Sequence, residues 1–400
     1  MGELKKSVFI ALASLFIAAC SSRIEGPKRI VENGIEVVVN DTGPYLVKGE
    51  RHALSLHEEF RIDTESDALS VAGLSDIAAV DADSRGRIYV CQRAKGRDPL
   101  IFQFDNRGNF LKSFGRIGQG PGEIQSPYYL RITAKDEIPI FDRSANRFIF
   151  LNPDGRLVVT KKLLPGPGIN LVPQAGIWLL ENGNILAFYI SLREDQKIQM
   201  IVIGLFGADF QKIRDLLEFD ASKEPEEYKN IFLEKPVIGV SKAAIYVGWG
   251  KAGNDIAVYN LDGRLKRKIR VPFTPVKVSP GSRAELLARA PQNHPVRRLK
   301  IPDLFPPFLS LFSDDLGRLY IARFETEKDS GTNLCDIIST DGVLILRAGL
   351  GYNDLSRYLL EPRSYDVVIK NDRCYCVREK PSGFKEIVVY SMSWSRNRRP

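Results

Sequence analysis

The dominant pattern along the chain is a short apolar run, a polar turn and a second apolar run, repeated many times. Most runs are four to six residues long and rich in Ile, Val, Phe and Tyr. In the first copy they cover residues 88–90, 100–104 and 110–114, with Asp105-Asn106-Arg107-Gly108 between the last two. Runs of this length and composition are typical of β-strands, and Asp-Gly between strands is a strong hairpin signal. The pattern predicts an all-β protein.

The strand pattern recurs in six units. Equivalent positions are Ile88, Ile138, Ile185, Ile245, Leu319 and Cys374, separated by 50, 47, 60, 74 and 55 residues. A further apolar strand precedes the second strand of a unit, as at Asp76–Val80 or Tyr365–Ile369. Four-stranded units repeated around an axis are propeller blades. We therefore predict a six-bladed β-propeller of four-stranded blades, with a β-sandwich or a solenoid as the alternatives for so loose a repeat.

The sixth unit lacks a fourth strand, because the chain ends soon after its third strand at Glu386–Ser391. His57–Ile62 is a short alternating strand that precedes the first unit. Pairing of His57–Ile62 with Glu386–Ser391 closes the ring and removes an exposed sheet edge. We predict a propeller over residues 57–394 and a basic tail at 395–400.

The N-terminus has the three parts of an export signal. Lys5 and Lys6 form a positive region, Val8–Ala19 is apolar and uncharged, and Cys20 follows. The apolar run of about 12 residues is too short for a membrane span, which needs roughly 20. Ile17-Ala18-Ala19-Cys20 resembles the lipobox of bacterial lipoproteins, which implies cleavage before Cys20 and its acylation with fatty acids such as palmitate. An ordinary cleaved signal with an incidental cysteine is the alternative.

This interpretation divides the N-terminal region into a signal peptide at 1–19 and a lipidated tether at 20–56. The tether contains one apolar run, Ile35–Val39, which we expect to form a local strand. Ser21, rather than Asp, follows Cys20, which favours the outer membrane, facing the periplasm or the cell surface.

Two segments carry a family resemblance. Gly115–Pro127 reads GRIGQGPGEIQSP and resembles the linker of NHL repeats, and Phe141–Phe148 reads FDRSANRF and resembles their D-x-x-N-x-R core. Together they resemble the NHL-related six-bladed propellers found as bacterial lipoproteins, over roughly residues 58–394. We expect Gly118, Gly120 and Gly122 to allow positive φ in a tight loop between blades. No Lys-Ser/Thr follows these glycines, so the segment does not match a phosphate-binding loop.

Two insertions interrupt the repeat, at about 220–236 and 273–310. Glu224–Lys235 in the first has room for a helical turn or two. In the second, Ser279–Arg289 predicts a short surface helix, with Ser282 and Glu285 in capping-box spacing. Ile301–Phe308 is apolar and rich in proline, so it either seals a blade edge or forms a lid.

The charge and the histidine count narrow the chemistry. The net charge of +8 and pI of about 9.1 suit an anionic surface or ligand. No nucleic-acid-binding motif accompanies that charge, so nucleic acid is the weakest of the candidate partners. The three histidines, His52, His57 and His294, are poor material for a histidine metal site or a Ser-His-Asp triad.

Four cysteines lie within the predicted propeller. Cys374 and Cys376 are two residues apart on one predicted strand and therefore share a face. Cys91 lies on the equivalent strand of the adjacent first blade, and Cys335 lies in the fifth. Export permits a bridge from Cys91 to Cys374 or Cys376, and buried free thiols are the alternative.

Arginines follow the second strand in several units: Arg93, Arg143, Arg193, Arg323 and Arg378. That end of the strand leads to one mouth of the central channel in a propeller. We predict an electropositive mouth suited to an anionic ligand, with scattered salt bridges between blades as the alternative.

The leading functional hypothesis is a binding or scaffold module, not an enzyme, held to the membrane by its N-terminal lipid and expected to be monomeric. Its expected partner is an envelope protein, a glycan or an anionic ligand, with no cofactor and no nucleic acid. The alternative is a metal-dependent hydrolase or lyase, lactonase-like, with its site in the central channel, although we identify no matching set of metal ligands. A purely structural envelope protein is a third hypothesis.

Overall fold

The computed structural model confirms the six-bladed β-propeller. It describes residues 26–47, 53–93, 99–164, 166–172, 176–193, 198–220, 236–250, 253–289, 301–326, 332–350 and 367–395. The proposed signal peptide and Cys20 lie outside these residues.

The strands fall into six sheets, one for each blade, and the strands of each blade pair antiparallel. Three strands precede the first sheet: β1 (Lys28–Glu32), β2 (Ile35–Val39) and β3 (Ala53–Asp63), and the short helix α1 (Asp67–Val71) follows them. Blade 1 contains β4 (Ala79–Ala82), β5 (Ile88–Cys91), β6 (Ile101–Phe104) and β7 (Phe110–Phe114). Blade 2 contains β8 (Pro127–Leu130), β9 (Ile138–Asp142), β10 (Arg147–Leu151) and β11 (Leu157–Lys162). Blade 3 contains β12 (Asn170–Leu171), β13 (Ile177–Leu179), β14 (Ile185–Arg193), β15 (Ile198–Phe206) and β16 (Lys212–Asp220).

The remaining blades follow in the same order around the ring. Blade 4 contains β17 (Val237–Val240), β18 (Ala244–Gly248), β19 (Asp255–Asn260) and β20 (Leu265–Arg270), and helix α2 (Pro280–Arg289) comes after it. Blade 5 contains β21 (Ser310–Ser313), β22 (Leu319–Thr326), β23 (Asn333–Ile338) and β24 (Leu344–Gly349). Blade 6 contains β25 (Val367–Lys370), β26 (Arg373–Glu379) and β27 (Lys385–Ser395), completed by β3.

Burial falls from the axis to the rim of the ring. Every residue of β4 and β5 is buried, whereas β7 and β11, the outer strands of blades 1 and 2, contain only half-buried and exposed residues. The buried side chains form four apolar clusters, several of which span neighbouring blades. Inner strands are therefore covered on both faces and read as continuous apolar runs, which is why the sequence revealed them.

The predicted closure of the ring is confirmed. β3 pairs antiparallel with β27, with His57 opposite Ser391 and Ile62 opposite Ile387. The pairing continues beyond the predicted strand, to Ala53 opposite Ser395. N-terminal and C-terminal strands thus share one blade, and the ring holds both ends of the propeller together.

The N-terminal segment does more than the predicted tether with a local strand. β1 and β2 form a hairpin, and β2 pairs in parallel with β20, the outer strand of blade 4. Asn40 then contacts blade 5, where it donates to the Gly342 carbonyl at 3.0 Å and accepts from the Leu344 amide at 2.7 Å. Part of the segment assigned to a tether is therefore built into the ring.

In the linker between blades 1 and 2, the predicted positive φ is found at only one of the three glycines. Gly122 has positive φ (77°), but Gly118 and Gly120 do not. A Cβ at Gly118 would lie 2.0 Å from Oε2 of Glu123, so the glycine leaves the space that the Glu123 carboxylate occupies. Asp142 accepts hydrogen bonds from the amides of Gln125 and Ser126, and Arg147 donates to the Glu123 carbonyl at 2.7 Å. The NHL-like linker and core motif therefore hold each other in place.

The second insertion contains the predicted helix, with a different cap. Helix α2 begins at Pro280, and the Ser279 hydroxyl accepts from the Ser282 amide at 3.0 Å, so Ser279 occupies the capping position expected of Ser282. Phe305 stacks on Phe324 of β22 with ring centroids 4.3 Å apart, and it is buried with Ile301. This packing favours an edge seal over a lid. Nearly all of the first insertion, 221–235, lies outside the described residues.

None of the helices in the described part of the chain is long and apolar enough to span a membrane.

The closing contact predicts a large stability effect at Ile62, whose side chain is 2% exposed. Ile62→Ala removes buried methyl groups from the closing strand and should lower the free energy of unfolding by about 2–4 kcal/mol. Val31→Ala, on exposed β1, is the control and should change it by less than about 0.5 kcal/mol. Urea unfolding followed by fluorescence measures both variants, and equal effects would contradict the closing role.

Candidate ligand-binding cavity

A cavity of about 590 Å³ opens at the centre of one face of the ring. All six blades contribute to its wall through the hairpin between their first and second strands. The lining residues used below are Asp81, Ser84, Tyr129, Arg131, Ile132, Lys135, Asp136, Glu137, Phe150, Lys161, Trp178, Leu179, Glu181, Lys242, Asp314, Asp315, Lys370 and Asn371. Phe150, Lys161 and Trp178 extend the wall into the space between blades 2 and 3.

Hydrogen bonds link neighbouring hairpins around the cavity. Ser84 of blade 1 donates from its amide and hydroxyl to Asp136 of blade 2, at 2.9 and 2.7 Å. Asn371 of blade 6 donates from its side chain to the Asp83 carbonyl of blade 1 and from its amide to Asp315 of blade 5. Burial opposes ionisation, but the bonds from Ser84 and the positive charges of Lys370 and Arg87 hold the pKa of Asp136 below its ordinary value. The hairpins of blades 5, 6, 1 and 2 are thus fixed to one another.

The hairpins of blades 1 and 5 repeat one polar constellation. Asp83 accepts from Arg87 Nε at 2.6 Å and from the Tyr89 hydroxyl at 3.1 Å. In blade 5, Asp314 accepts from Arg318 and Tyr320 at the same two distances. Burial is the main cause of the raised pKa of both phenols, which keeps them protonated as donors. The shared string Asp-x-x-Gly-Arg-x-Tyr therefore has a structural role, and Asp314 is not available to a ligand.

Asp81 and Lys370 form a second fixed pair at the cavity wall. Asp81 is 1% exposed and accepts from the Ile132 amide at 2.7 Å. Lys370 Nζ lies 3.8 Å from Asp81 and donates to the Ile132 carbonyl at 3.3 Å. This contact joins blades 6, 1 and 2, so both charged side chains stabilise the packing of these blades.

The remaining charges of the wall are free to meet a ligand. Arg131, Lys135, Lys161 and Lys242 have no acidic partner within ion-pair distance in the described part of the chain, and Glu137 and Glu181 have no basic one. Lys161 Nζ lies over the Phe150 ring, 5.4 Å from its centroid. Asp136 and Asp315 also keep their negative charges, because their hydrogen bonds come from uncharged donors. The distinctive feature of the wall is therefore four cations that no carboxylate pairs, set among carboxylates that hold the hairpins.

The aromatic part of the wall is fixed by burial. Tyr129 is 2% exposed and its hydroxyl approaches the Leu179 carbonyl of blade 3 at 3.5 Å, while Trp178 is 6% exposed. Burial raises the pKa of the Tyr129 hydroxyl above its ordinary range. These rings give the cavity a partly apolar side next to its cations.

The arginines predicted from the sequence lie elsewhere. They lie toward the end of a second strand or just after it, at the end of the blades opposite the hairpins that line the cavity. Arg93 lies 3.6 Å from Asp76, Arg378 contacts the Tyr390 hydroxyl, and Arg143 is exposed. The side chain of Arg193 lies outside the described residues. None of the five lines the described cavity, so a shared mouth formed by them stays a prediction.

The prediction that Arg323 contacts a ligand at a channel mouth is wrong. The arginine is 2% exposed and forms an ion pair with Asp336 at 2.6 Å, and it donates to the Pro307 carbonyl at 2.7 Å. Asp336 also binds Arg347 at 2.5 Å. A guanidinium held in this way has a structural role and is not a ligand contact at a channel mouth.

Among residues whose positions the structure gives, no group of three or more His, Cys, Asp or Glu side chains has the arrangement of a metal site. His57 is exposed on β3, and His52 and His294 lie outside the described residues. The prediction followed the second strands and so did not include Arg131, Lys135 and Lys242, which lie in the hairpins at the other end of the blades. It also did not include Lys161, which lies on the outer strand of blade 2.

The four cysteines are free and buried, which was the alternative to a disulfide bridge. Cys374 and Cys376 share a face, with their sulfur atoms 3.5 Å apart. Burial raises the pKa of the Cys91 thiol to about 12 and also raises that of Cys335. Cys91 therefore does not bridge to Cys374 or Cys376.

A comparison with protein families agrees with the fold. A family described as a 6-bladed beta-propeller matches residues 62–191. A member of the DUF4221 family from Bacteroides vulgatus aligns at 9% identity over 86% of this chain and 100% of its own, with a TM-score of 0.49. A candidate exported protein from Bacteroides fragilis aligns at 10% identity over 90% of this chain and 100% of its own, with a TM-score of 0.44. Virginiamycin B lyase from Staphylococcus aureus aligns at 11% identity over 87% of this chain and 90% of its own, with a TM-score of 0.36.

These similarities do not extend to a function. At such identities and TM-scores the solved structures carry no argument about ligand or activity, and no curated protein matches the chain.

The burial of the cysteines predicts their reactivity. In the chain that begins at residue 20 and carries Cys20→Ser, the remaining thiols should be unreactive toward Ellman's reagent at pH 8, because all four are buried and the reactive species is the thiolate. Addition of urea should release all four without a reductant. Rapid reaction of the folded protein, or fewer than four thiols after unfolding, would contradict this assignment.

Proposed function

We propose that this protein is an exported, lipid-anchored binding propeller that holds a small anionic ligand in the central cavity. The observation that carries the proposal is the charge distribution of the cavity wall. Four cations are free of acidic partners in the described chain, whereas four of the six carboxylates are engaged in holding the hairpins.

The ligand that fits this wall carries at least one carboxylate, phosphate or sulfate. Arg131 provides a planar guanidinium that suits a carboxylate or phosphate, and Lys135 and Lys242 provide point charges. Tyr129, Trp178 and Phe150 add apolar surface on the side of blades 2 and 3. An acidic saccharide or a short acidic peptide combines these two features.

The rigidity of the wall favours binding over a moving catalytic device. The hairpins of blades 5, 6, 1 and 2 are joined by hydrogen bonds between protein atoms, so little ordering remains to be done when a ligand binds. Preorganisation of this kind improves affinity because it lowers the entropy lost on binding.

The proposed location follows from the sequence. Acylation of Cys20 anchors the chain to a bacterial envelope membrane, and Ser21 after the cysteine favours the outer membrane. The basic balance of the chain, +8, suits a place next to anionic lipids and envelope polymers.

The cavity assignment predicts a preference for anions that depends on single cations. Trigalacturonate and citrate should bind more tightly than neutral maltotriose in calorimetric titrations. Arg131→Gln and Lys242→Gln should each weaken the anionic probe that binds by about tenfold, since a hydrogen bond to a charged group contributes about 1.5–3 kcal/mol.

The matched control is Lys162→Gln, which removes an exposed charge from the outer strand of blade 2. It should leave the titration unchanged. Tighter binding of maltotriose than of both anions, or equal losses in all three variants, would contradict an anion site in this cavity.

The anchoring assignment predicts a change in processing. Cys20→Ala removes the acylated sulfur, so the chain should lose its diacylglycerol and leave the detergent phase on phase partitioning. Intact-mass spectrometry of the wild-type protein should show a chain that begins at Cys20 with its lipid attached. A wild-type chain cut elsewhere and free of lipid would contradict the assignment.

A further inference from the structure

The outer edge of blade 4 differs from that of the other blades. β2 pairs in parallel with β20, with Val37 opposite Lys268 and Val39 opposite Arg270, and β1 lies outside β2. We refer to β20, β2 and β1 together as the blade-4 rim. We propose that the blade-4 rim is the surface with which the propeller rests on an anionic membrane. The inference rests on the acylation of Cys20 proposed above.

The rim is a fixed part of the ring. Val37 and Val38 have no exposed surface, and Arg270 forms ion pairs with Glu32 of β1 and Asp255 of β19 at 3.0 and 2.6 Å. After β2, the Tyr45 amide donates to the Leu344 carbonyl of blade 5 at 2.8 Å. Because the rim is fixed to the ring, the place at which the tether joins Lys28 determines which side of the propeller faces the membrane.

The chain between the lipid and the rim is short. Seven residues, 21–27, separate Cys20 from Lys28. Fully extended, they span at most about 25 Å. A compact chain of this size has a radius of gyration of about 21 Å, so its width is roughly twice that. The tether is too short to bring the opposite blade 1 against the membrane while the lipid stays inserted.

The rim carries charges suited to that surface. Strand register and alternation place Lys28 and Lys268 on one face of the sheet, and Lys266 lies at a bulge two residues before Lys268. In the described part of the chain none of the three has an acidic partner within ion-pair distance, whereas Arg29 and Arg270 are paired with glutamates. Lys28 and Lys266 are exposed and Lys268 is half-buried. Unpaired lysines next to a lipid anchor attract anionic headgroups.

The direction of the strands keeps the cavity clear of the membrane. β20 starts at the face that holds the cavity, since it follows the hairpin between the third and fourth strands of its blade. β2 runs parallel to it, so Lys28, opposite Val39, lies at the far end of the rim. The tether therefore leaves the ring away from the cavity, which stays open to a ligand arriving from the aqueous phase.

The test measures the rim without the lipid. The mature chain with Cys20→Ser is mixed at low salt with vesicles of phosphatidylcholine alone or with about a third phosphatidylglycerol; the screening length is about 30 Å at 0.01 M salt. The protein should partition onto the anionic vesicles only. Lys28→Gln, Lys266→Gln and Lys268→Gln together should weaken this partitioning on the order of 100-fold, at about fivefold for each lysine.

The matched control removes three exposed cations from blades 1 and 2: Arg107→Gln, Arg156→Gln and Lys162→Gln. It carries the same net charge as the rim variant and should lose less than about threefold in partitioning. Equal losses in the two triple variants, or wild-type protein that does not prefer anionic vesicles, would overturn the proposal. Titration of the rim variant with trigalacturonate and citrate reports the cavity separately, so failure of the rim is distinguishable from failure of the binding site.

Discussion

The whole structure depends on closure of the ring by strand pairing between β3 and β27. Each blade buries its faces against its neighbours, so an open ring would leave two apolar faces and a sheet edge in water. Closure also sets the position of the six hairpins that line the cavity. Asn371 reaches blades 5 and 1 at once only because blade 6 is fixed between them. Stability and the shape of the binding wall therefore have the same origin.

Much of the fold could be predicted from the sequence because the inner strands are covered on both faces. Their continuous apolar runs, with Asp-Gly turns between them, identified six units and the closing strand. The parallel pairing of β2 with β20 could not be predicted, since a local run such as Ile35–Val39 contains no information on its distant partner. Gly118 was misjudged for a related reason: its constraint comes from Glu123 packing against it, which local sequence does not reveal.

The site was harder to predict than the fold. Charge counting identified arginines after the second strands, but Arg323 proved to be engaged in a buried ion pair, and none of the others lines the cavity. What separates a structural cation from a candidate binding cation is its partner, as the contrast between Arg318 and Arg131 shows. Asp314 neutralises Arg318, whereas Arg131 has no such partner in the described part of the chain. Only three-dimensional contacts make that distinction.

The cavity, and not the opposite face of the ring, should attract anions. Bromide soaked into crystals of the protein reports this, because its anomalous scattering locates each bound ion. We expect bromide inside the cavity, beside Arg131, Lys135 or Lys242. A cavity without bromide, with ions bound instead beside Arg93 and Arg143 at the opposite end of the blades, would contradict it.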